Sequence, residues 1–181
     1  MKRTKFYNAH KNLGAKIVEF AGYEMPIQYS SIIAEHKAVR NSVGVFDVSH
    51  MGEVLVKGKF ALDFVQNITT NDVSKLSSER VQYSAMCYED GGIVDDLLVY
   101  KIADDEFMLV INASNTDKDF AWMQQNNSFN VELKNVSDEY SLLAVQGPFS
   151  QKTLQKLTDT PITLEYYHFT NLKLASVDVL L

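Results

Sequence analysis

The sequence holds a single cysteine, three prolines and eight glycines in 181 residues. One cysteine, Cys87, cannot form an internal disulfide, and no Cys and His spacing suggests zinc, so no metal is expected. Long apolar runs are missing too. Stretches such as Phe107 to Ile111 are far too short to span a bilayer, so no membrane partner is expected. The basic start MKRTKF has no apolar segment behind it, which argues against a signal peptide and makes the cytoplasm the expected location. Basic clusters are absent as well: 17 Lys and Arg face 23 Asp and Glu, a net charge of −6. Phosphate binding needs clustered cations, so no nucleic-acid partner is expected. No internal repeat, glycine-rich phosphate loop or Ser-His-Asp set stands out.

What is present is an ordinary globular composition. Hydrophobic residues make up 46% and charged residues 22%, enough to bury a sizeable core. A short helix is expected over Lys5–Leu13, stopped by Gly14. The Gly and Pro punctuation of Phe20–Tyr29 reads as a structured loop. Ser30 or Ser31 can cap a helix on which Ile32, Ile33, His36, Val39 and Val43 recur at helical spacing, with Gly44 ending it.

From there the pattern reads as a strand at Glu53–Val56, a helix at Phe60–Ile68 with Phe60, Phe64 and Ile68 on one stripe, and strands at 81–88, 93–102 and 106–112. A helix follows from a Ser114 cap to about Gln125, with Phe120, Ala121 and Met123 or Gln124 on its buried side. The next strand is Phe129–Leu133. This β-α-β-β-β-α-β order is that of a ferredoxin-like split βαβ unit with one extra strand, an α+β arrangement. Beyond it lie a strand at Tyr140–Val145, a helix opened by Gly147-Pro148 and a last strand at Leu172–Leu181. That strand is apolar to the terminus and reads as cut, leaving a sheet edge open to a second copy of the chain.

The most informative stretch is Ile93–Ile102. Strand alternation puts Ile93, Asp95, Leu97, Val99 and Lys101 on one face, and Val94, Asp96, Leu98, Tyr100 and Ile102 on the other. Asp96 thus stands alone among apolar neighbours, where a carboxylate loses solvation unless a donor stabilises the ion. Such a carboxylate is suited to proton transfer or ligand anchoring. With Asp90-Gly91 as a two-residue turn, Tyr83 pairs with Leu98, and Tyr83, Ala85 and Cys87 share the Asp96 and Tyr100 face. An aromatic-walled surface with one carboxylate suits a flat, hydrogen-bonding heteroaromatic ligand. A one-residue slip would move Tyr83 to the other face. His50 and Met51 sit at a junction between the helix-loop unit and the first strand, where His50 is read more readily as a packing residue. Cys87, in apolar company, is expected to be inert. Thr69-Thr-Asn-Asp72 reads as a turn or helix-end cluster.

Several runs taken together, Phe20-Ala-Gly-Tyr-Glu-Met-Pro26, Phe46-Asp-Val-Ser-His-Met-Gly-Glu53, Thr69-Thr-Asn-Asp-Val73 and Asp90-Gly-Gly-Ile-Val-Asp-Asp-Leu, closely resemble the T-protein of the glycine cleavage system, a tetrahydrofolate-dependent aminomethyltransferase. Asn112-Ala-Ser-Asn-Thr-Asp-Lys118 and Leu143-Ala-Val-Gln-Gly-Pro148 match as well. The resemblance implies transfer of a methylene from an aminomethyl group on the lipoyl arm of H-protein to tetrahydrofolate, with release of ammonia. H-protein is the implied direct partner, with P- and L-proteins acting indirectly. Asp96 is the implied catalytic residue, orienting the folate and assisting proton transfer at its amine. Met51, Tyr83, Asp96, Tyr100 and Asn112 are the implied folate-binding residues. Asn112 rests on the resemblance alone. If Asp104-Asp105 form a two-residue turn it pairs with Leu97 and points to the wrong face, and a turn one residue longer corrects this.

The family implies a three-domain cloverleaf of greater length. Residues 1–51 and 138–181 would form a discontinuous, C-terminally truncated folate-binding domain, and 52–137 a ferredoxin-like domain. The expected state of this chain is thus an N-terminal half with impaired activity. Two alternatives share the scaffold: the folate module of another one-carbon enzyme, and an iron–sulfur assembly protein.

Overall fold

The computed structural model describes residues 1–181, which divide into two units. The first comprises Met1–His50, Ser141–Thr163 and Asn171–Leu181; the second comprises Met51–Tyr140 and Leu164–Thr170. Residues 164–170, expected with the first domain, are grouped with the second unit instead. The backbone explains it: Val81 donates its N–H to the Tyr167 carbonyl at 2.8 Å, Phe169 donates to the Glu79 carbonyl at 3.0 Å, and Arg80 bridges His168.

The first unit opens with helix α1 (Tyr7–Asn12), stopped at Gly14. Strands β1 (Lys16–Phe20) and β2 (Tyr23–Gln28) form an antiparallel hairpin where a loop was expected. Its two-residue turn is Ala21-Gly22, both at positive φ, the backbone that matches strand twist. Pro26 is tolerated because a two-stranded sheet has only edges. Helix α2 (Ile32–Asn41) is capped by Ser31, whose side chain accepts from the Ala34 N–H. Glu35 reinforces the start by accepting the Tyr29, Ser30 and Ser31 N–H groups. The expected apolar stripe forms no core, since α2 has no buried residue and Ile32, Ile33 and His36 are exposed. Strand β3 (Gly44–Asp47) closes this segment.

The second unit starts with β4 (Gly52–Lys57) and α3 (Ala61–Ile68), then β5 (Val81–Cys87), β6 (Ile93–Ala103) and β7 (Glu106–Ile111). Helix α4 (Thr116–Gln125) and β8 (Glu132–Asn135) complete it. Ser114 does not cap α4; it lies in a single 3₁₀ turn over Ala113–Asn115. The sheet order is β5-β6-β7-β4-β8, with every neighbouring pair antiparallel. Hence β4 and β6 run parallel with β7 between them, and β7 and β8 run parallel with β4 between them. These are the two split βαβ units of the ferredoxin-like arrangement, with β5 as the added edge strand.

One sheet face packs against both helices. Val54, Val56, Leu97, Val99, Phe107, Leu109 and Ile111 meet Phe64, Val65 and Ile68 of α3 and Met123 of α4 in one core. On α4 the buried positions are Asp119 and Met123, one turn apart, whereas Ala121 is exposed. Gly52 lets α4 approach β4 closely, since a Cβ there would sit 2.7 Å from Thr116 Oγ1 and 2.8 Å from Ile111 Cγ1.

The chain then returns to the first unit. Strand β9 (Leu143–Gln146) pairs antiparallel with β3. Helix α5 (Ser150–Leu154) runs into a 3₁₀ turn at Gln155–Leu157. The expected single last strand is a hairpin of β10 (Asn171–Leu174) and β11 (Val177–Leu180), turning through Ala175-Ser176 at positive φ.

Candidate functional site

The face of the five-stranded sheet turned away from the helices carries the predicted site. Two departures from ideal pairing on β6 decide its layout. The β5–β6 turn is three residues, Glu89–Asp90–Gly91, with Tyr88 and Gly92 paired and Gly91 at positive φ. That alone would shift Tyr83 out of the expected register. A bulge at Val94 takes up the extra residue, so Tyr83 still pairs with Leu98 and Ala85 with Asp96. At the other end, β6 bulges at Ile102, which aligns Leu97 with Ile111 rather than with Asn112. Asn112 therefore falls opposite Asp96; the correction comes from a bulge, not from a longer turn.

One row across the second face reads Tyr83, Leu98, Val110 and Glu53. The next rows hold Val81, Tyr100, Met108 and Leu55 on one side, and Ala85 and Asp96 on the other. Met51 immediately precedes β4, one residue before the Gly52–Ile111 pair, and Asn112 follows Ile111 at the same end of the sheet.

Asp96 is half-buried and held at both oxygens. Oδ2 accepts the Tyr83 hydroxyl at 2.8 Å, and Oδ1 accepts the Asn112 side-chain amide at 3.0 Å. These donors answer the desolvation that strand alternation places on the residue. The Asp96 bond, followed by desolvation, raises the pKa of Tyr83, which keeps its hydroxyl as donor. Tyr100 packs on Phe169 with ring centroids 5.4 Å apart, and burial foremost, then the Glu53 and Tyr167 charges, pushes its pKa up.

Several residues were not anticipated. Glu53 is 4% exposed and its carboxyl meets no hydrogen-bond donor; burial pushes it up to about 7. Asp95 points to the helix side and is more buried than Asp96. It accepts the Asn112 and Asn115 amides at 3.0 Å each and the Asp96 N–H at 3.0 Å. Burial works to raise Asp95, but the neighbouring Asp119 and the Asn115 and Asn112 amides outweigh it and hold the carboxyl below its usual range. Asp119 is fully buried, and burial with the Asp95 contact pushes it up to about 7. Lys118 Nζ lies 3.0 Å from Asp119 Oδ1 and also donates to the Val94 carbonyl. A charged residue one turn from Met123 on an apolar stripe was the available sign for Asp119. Phe169 and Tyr167 arrive from far along the chain and carried none.

His50 packs edge-on against Phe20 and Tyr23 with Nδ1 buried and unbonded, and burial lowers its pKa. Cys87 is a partly exposed free thiol on the Tyr83 side of β5. Thr69–Asp72 is a turn cluster lying along β5: Thr70 donates to the Ala85 carbonyl, and Asn71 donates to the Tyr83 carbonyl and Ser84 Oγ. No helix is long and apolar enough to cross a membrane.

The split βαβ sheet with both helices on one face is an α+β fold, and solved proteins share it. Residues 6–181 match the model of the GCVT N-terminal domain, and the chain belongs to that family. It is 58% identical over 171 residues to an aminomethyltransferase of Chloroherpeton thalassium, covering 93% of this chain and 47% of that protein. It is 50% identical over 182 residues to an aminomethyltransferase of Halothermothrix orenii, covering 100% of this chain and 51% of that one. The crystal structure of the glycine cleavage system aminomethyltransferase T from Bartonella henselae superimposes with a TM-score of 0.88 at 33% identity, over 93% of this chain and 46% of that chain. A heterotetrameric sarcosine oxidase from Corynebacterium sp. U-96 shares the fold at a TM-score of 0.57 and 16% identity, over 82% of this chain and 75% of that chain. The chain spans about half the length of the curated relatives it matches.

Proposed function

We propose that this chain is the N-terminal half of a tetrahydrofolate-dependent aminomethyltransferase of glycine cleavage, and that the second face of its sheet receives the folate. The observation that carries the reading is Asp96, a carboxylate held at both oxygens on a surface walled by Tyr83 and Tyr100. Leu98 and Val110 offer apolar contact to a flat ring, and Met51 and Asn112 bound the end of the face. Tyr83 and Asn112 leave Asp96 one orientation, so it can accept a hydrogen bond from a folate amine without first reorganising.

In the reaction, the folate amines replace both the sulfur and the nitrogen on the transferred carbon. Their two hydrogens leave with ammonia and with the freed lipoyl thiol of H-protein. Asp96 assists by accepting a proton from the amine as its lone pair engages the carbon. Nothing in this role requires a covalent bond to the protein.

The test is a calorimetric titration of the chain with tetrahydrofolate, beside Asp96→Asn. Saturable binding that weakens about tenfold in the variant is expected, the effect of one charged hydrogen bond. Equal affinity in both proteins would overturn the assignment.

A further inference from the structure

The Asn112 side chain meets two carboxylates through one atom. Its Nδ2 donates to Asp95 Oδ1 at 3.0 Å, to Asp96 Oδ1 at 3.0 Å and to the Asp96 carbonyl at 3.2 Å. The Asn112 backbone is fixed separately, because its carbonyl accepts the Asn115 N–H at 3.0 Å and the Thr116 hydroxyl at 3.3 Å. One choice remains to the side chain: which end of its amide turns toward the carboxylates. The two ends have nearly the same shape, so hydrogen bonding must decide. Asp96 decides it weakly, being half-buried and already bonded to the Tyr83 hydroxyl. Asp95 is 8% exposed and is itself pinned, since Oδ2 accepts the Asn115 amide and Oδ1 the Asp96 N–H, each at 3.0 Å. Turning Asn112 around would set its carbonyl oxygen against this buried acceptor, with little water to relieve the contact. With the nitrogen on the carboxylates, Asn112 Oδ1 is left as an acceptor that no group of the chain uses.

We propose that Asp95, steadied by Asn115, is a positioning residue that sets which way round the Asn112 amide sits, and that it thereby makes this end of the ligand face an edge of acceptors only, the Asp96 carboxylate and Asn112 Oδ1. Such an edge selects a ligand that presents N–H groups and rejects one that presents a ring-nitrogen lone pair. Asp95 touches no ligand in this scheme. The selectivity rests on the folate reading of the face. On that reading the edge favours tetrahydrofolate, whose ring nitrogen nearest the side arm carries a hydrogen, over folic acid, where the same nitrogen is an unprotonated imine.

Asp95→Asn removes the obligate acceptor at nearly constant shape. Its partner is the exchanged pair, Asp95→Asn with Asn115→Asp. A carboxylate at position 115 only accepts, so it draws the nitrogen of the amide introduced at position 95 and leaves that amide's oxygen facing Asn112. The first readout needs no ligand. Solvent exchange of the Asn112 side-chain amide hydrogens in the labelled chain should quicken about tenfold in Asp95→Asn and return toward the wild-type rate in the exchanged pair. The second is calorimetric affinity for tetrahydrofolate and for folic acid. The preference for tetrahydrofolate should fall about tenfold in Asp95→Asn and recover to within about threefold of wild type in the exchanged pair. If Asp95→Asn fails to fold, Asn115→Ala, which frees one Asp95 oxygen, is read in its place, with a fall of about threefold. Both ligands weakened alike, with the preference unchanged, is the result of a merely structural role and overturns the inference. So does an unchanged Asn112 exchange rate, or a folded exchanged pair that restores nothing. An Asn112 response as expected in a folded chain that binds neither ligand supports the setting of the amide and overturns the folate reading instead.

Discussion

The two units are built on different principles. Every hydrophobic side chain that is essentially inaccessible, from Phe64 and Phe107 to Leu109 and Met123, belongs to the second unit. The first has only Tyr7, Met25 and Ile162 as buried hydrophobics, and its strands pair two at a time. It is tied by polar groups instead. Asp47, with no side-chain exposure, accepts from Thr4 at 2.6 Å and meets His10 Nε2 at 2.9 Å, while His10 Nδ1 meets the Tyr29 hydroxyl at 2.7 Å. The lesson is that a sheet with a dry core can carry an unusual carboxylate pair, because apolar packing supplies the stability that the pair costs.

The largest test of this contrast is truncation of the core. Phe64→Ala is expected to cost about 3–5 kcal/mol in denaturant unfolding, the usual range for emptying a buried aromatic position. Met25→Ala in the first unit should cost about 2 kcal/mol, since its surroundings can collapse more freely. Equal losses would break the comparison. Next comes Asp47→Ala, which strands the buried partners of a hydrogen-bonded anion. About 2–4 kcal/mol is expected. The loss should appear in hydrogen exchange as faster opening of β1 and β2, with β5 to β7 unchanged.

Acidity sharpens the comparison further. Burial works to raise Asp47, but its Thr4, His10 and Ser49 bonds hold it below the usual carboxylate range. Its contribution is present at neutral pH and is lost as pH falls through its folded pKa, below about 4. Glu53 and Asp119 behave oppositely, each pushed up to about 7. Between pH 4 and 7 the folded second unit keeps protons that an unfolded chain releases. Its stability therefore falls as pH rises through that window and levels off above it. Between pH 5 and 7 the fall should be about 2 kcal/mol for Glu53, and Glu53→Gln should remove that share. The smallest effect is expected from Tyr83→Phe, which deletes one of the two donors to Asp96 at an exposed ring. Tetrahydrofolate affinity should drop about threefold, with stability changed by about 0.5 kcal/mol or less.

Periodicity made much of this legible. Alternation along Ile93–Ile102 assigned Asp96, Leu98 and Tyr100 to one face, and helical spacing found Phe64 and Ile68, whereas Phe60 on the same expected stripe is exposed just ahead of α3. The α+β class and the split βαβ order follow from those elements, and the resemblance to aminomethyltransferases agrees with the family to which the chain belongs. What escaped was set by contacts distant in sequence or by single-residue irregularities. The β1–β2 hairpin hid because Pro26 argues against a strand unless the sheet is two-stranded. Asp119 hid because a carboxylate on an apolar stripe reads as solvent-facing until Asp95 is known to meet it. Phe169 reaches Tyr100 only through a backbone bridge to β5, for which short-range pattern offers no clue.

The two bulges on β6 have a consequence for how the chain tolerates changes of length. Each stores one surplus residue, Val94 toward the β5 turn and Ile102 toward the β7 turn, with the segment carrying Asp96 between them. A one-residue deletion or insertion at either turn can be absorbed by erasing or enlarging the adjacent bulge, as slack is taken up at the two ends of a belt. Loop-length variants at Asp90 or Asp104 should therefore retain the Asp96–Tyr83 hydrogen bond, whereas a deletion at Leu97, inside the taut segment, would turn the carboxylate to the wrong side.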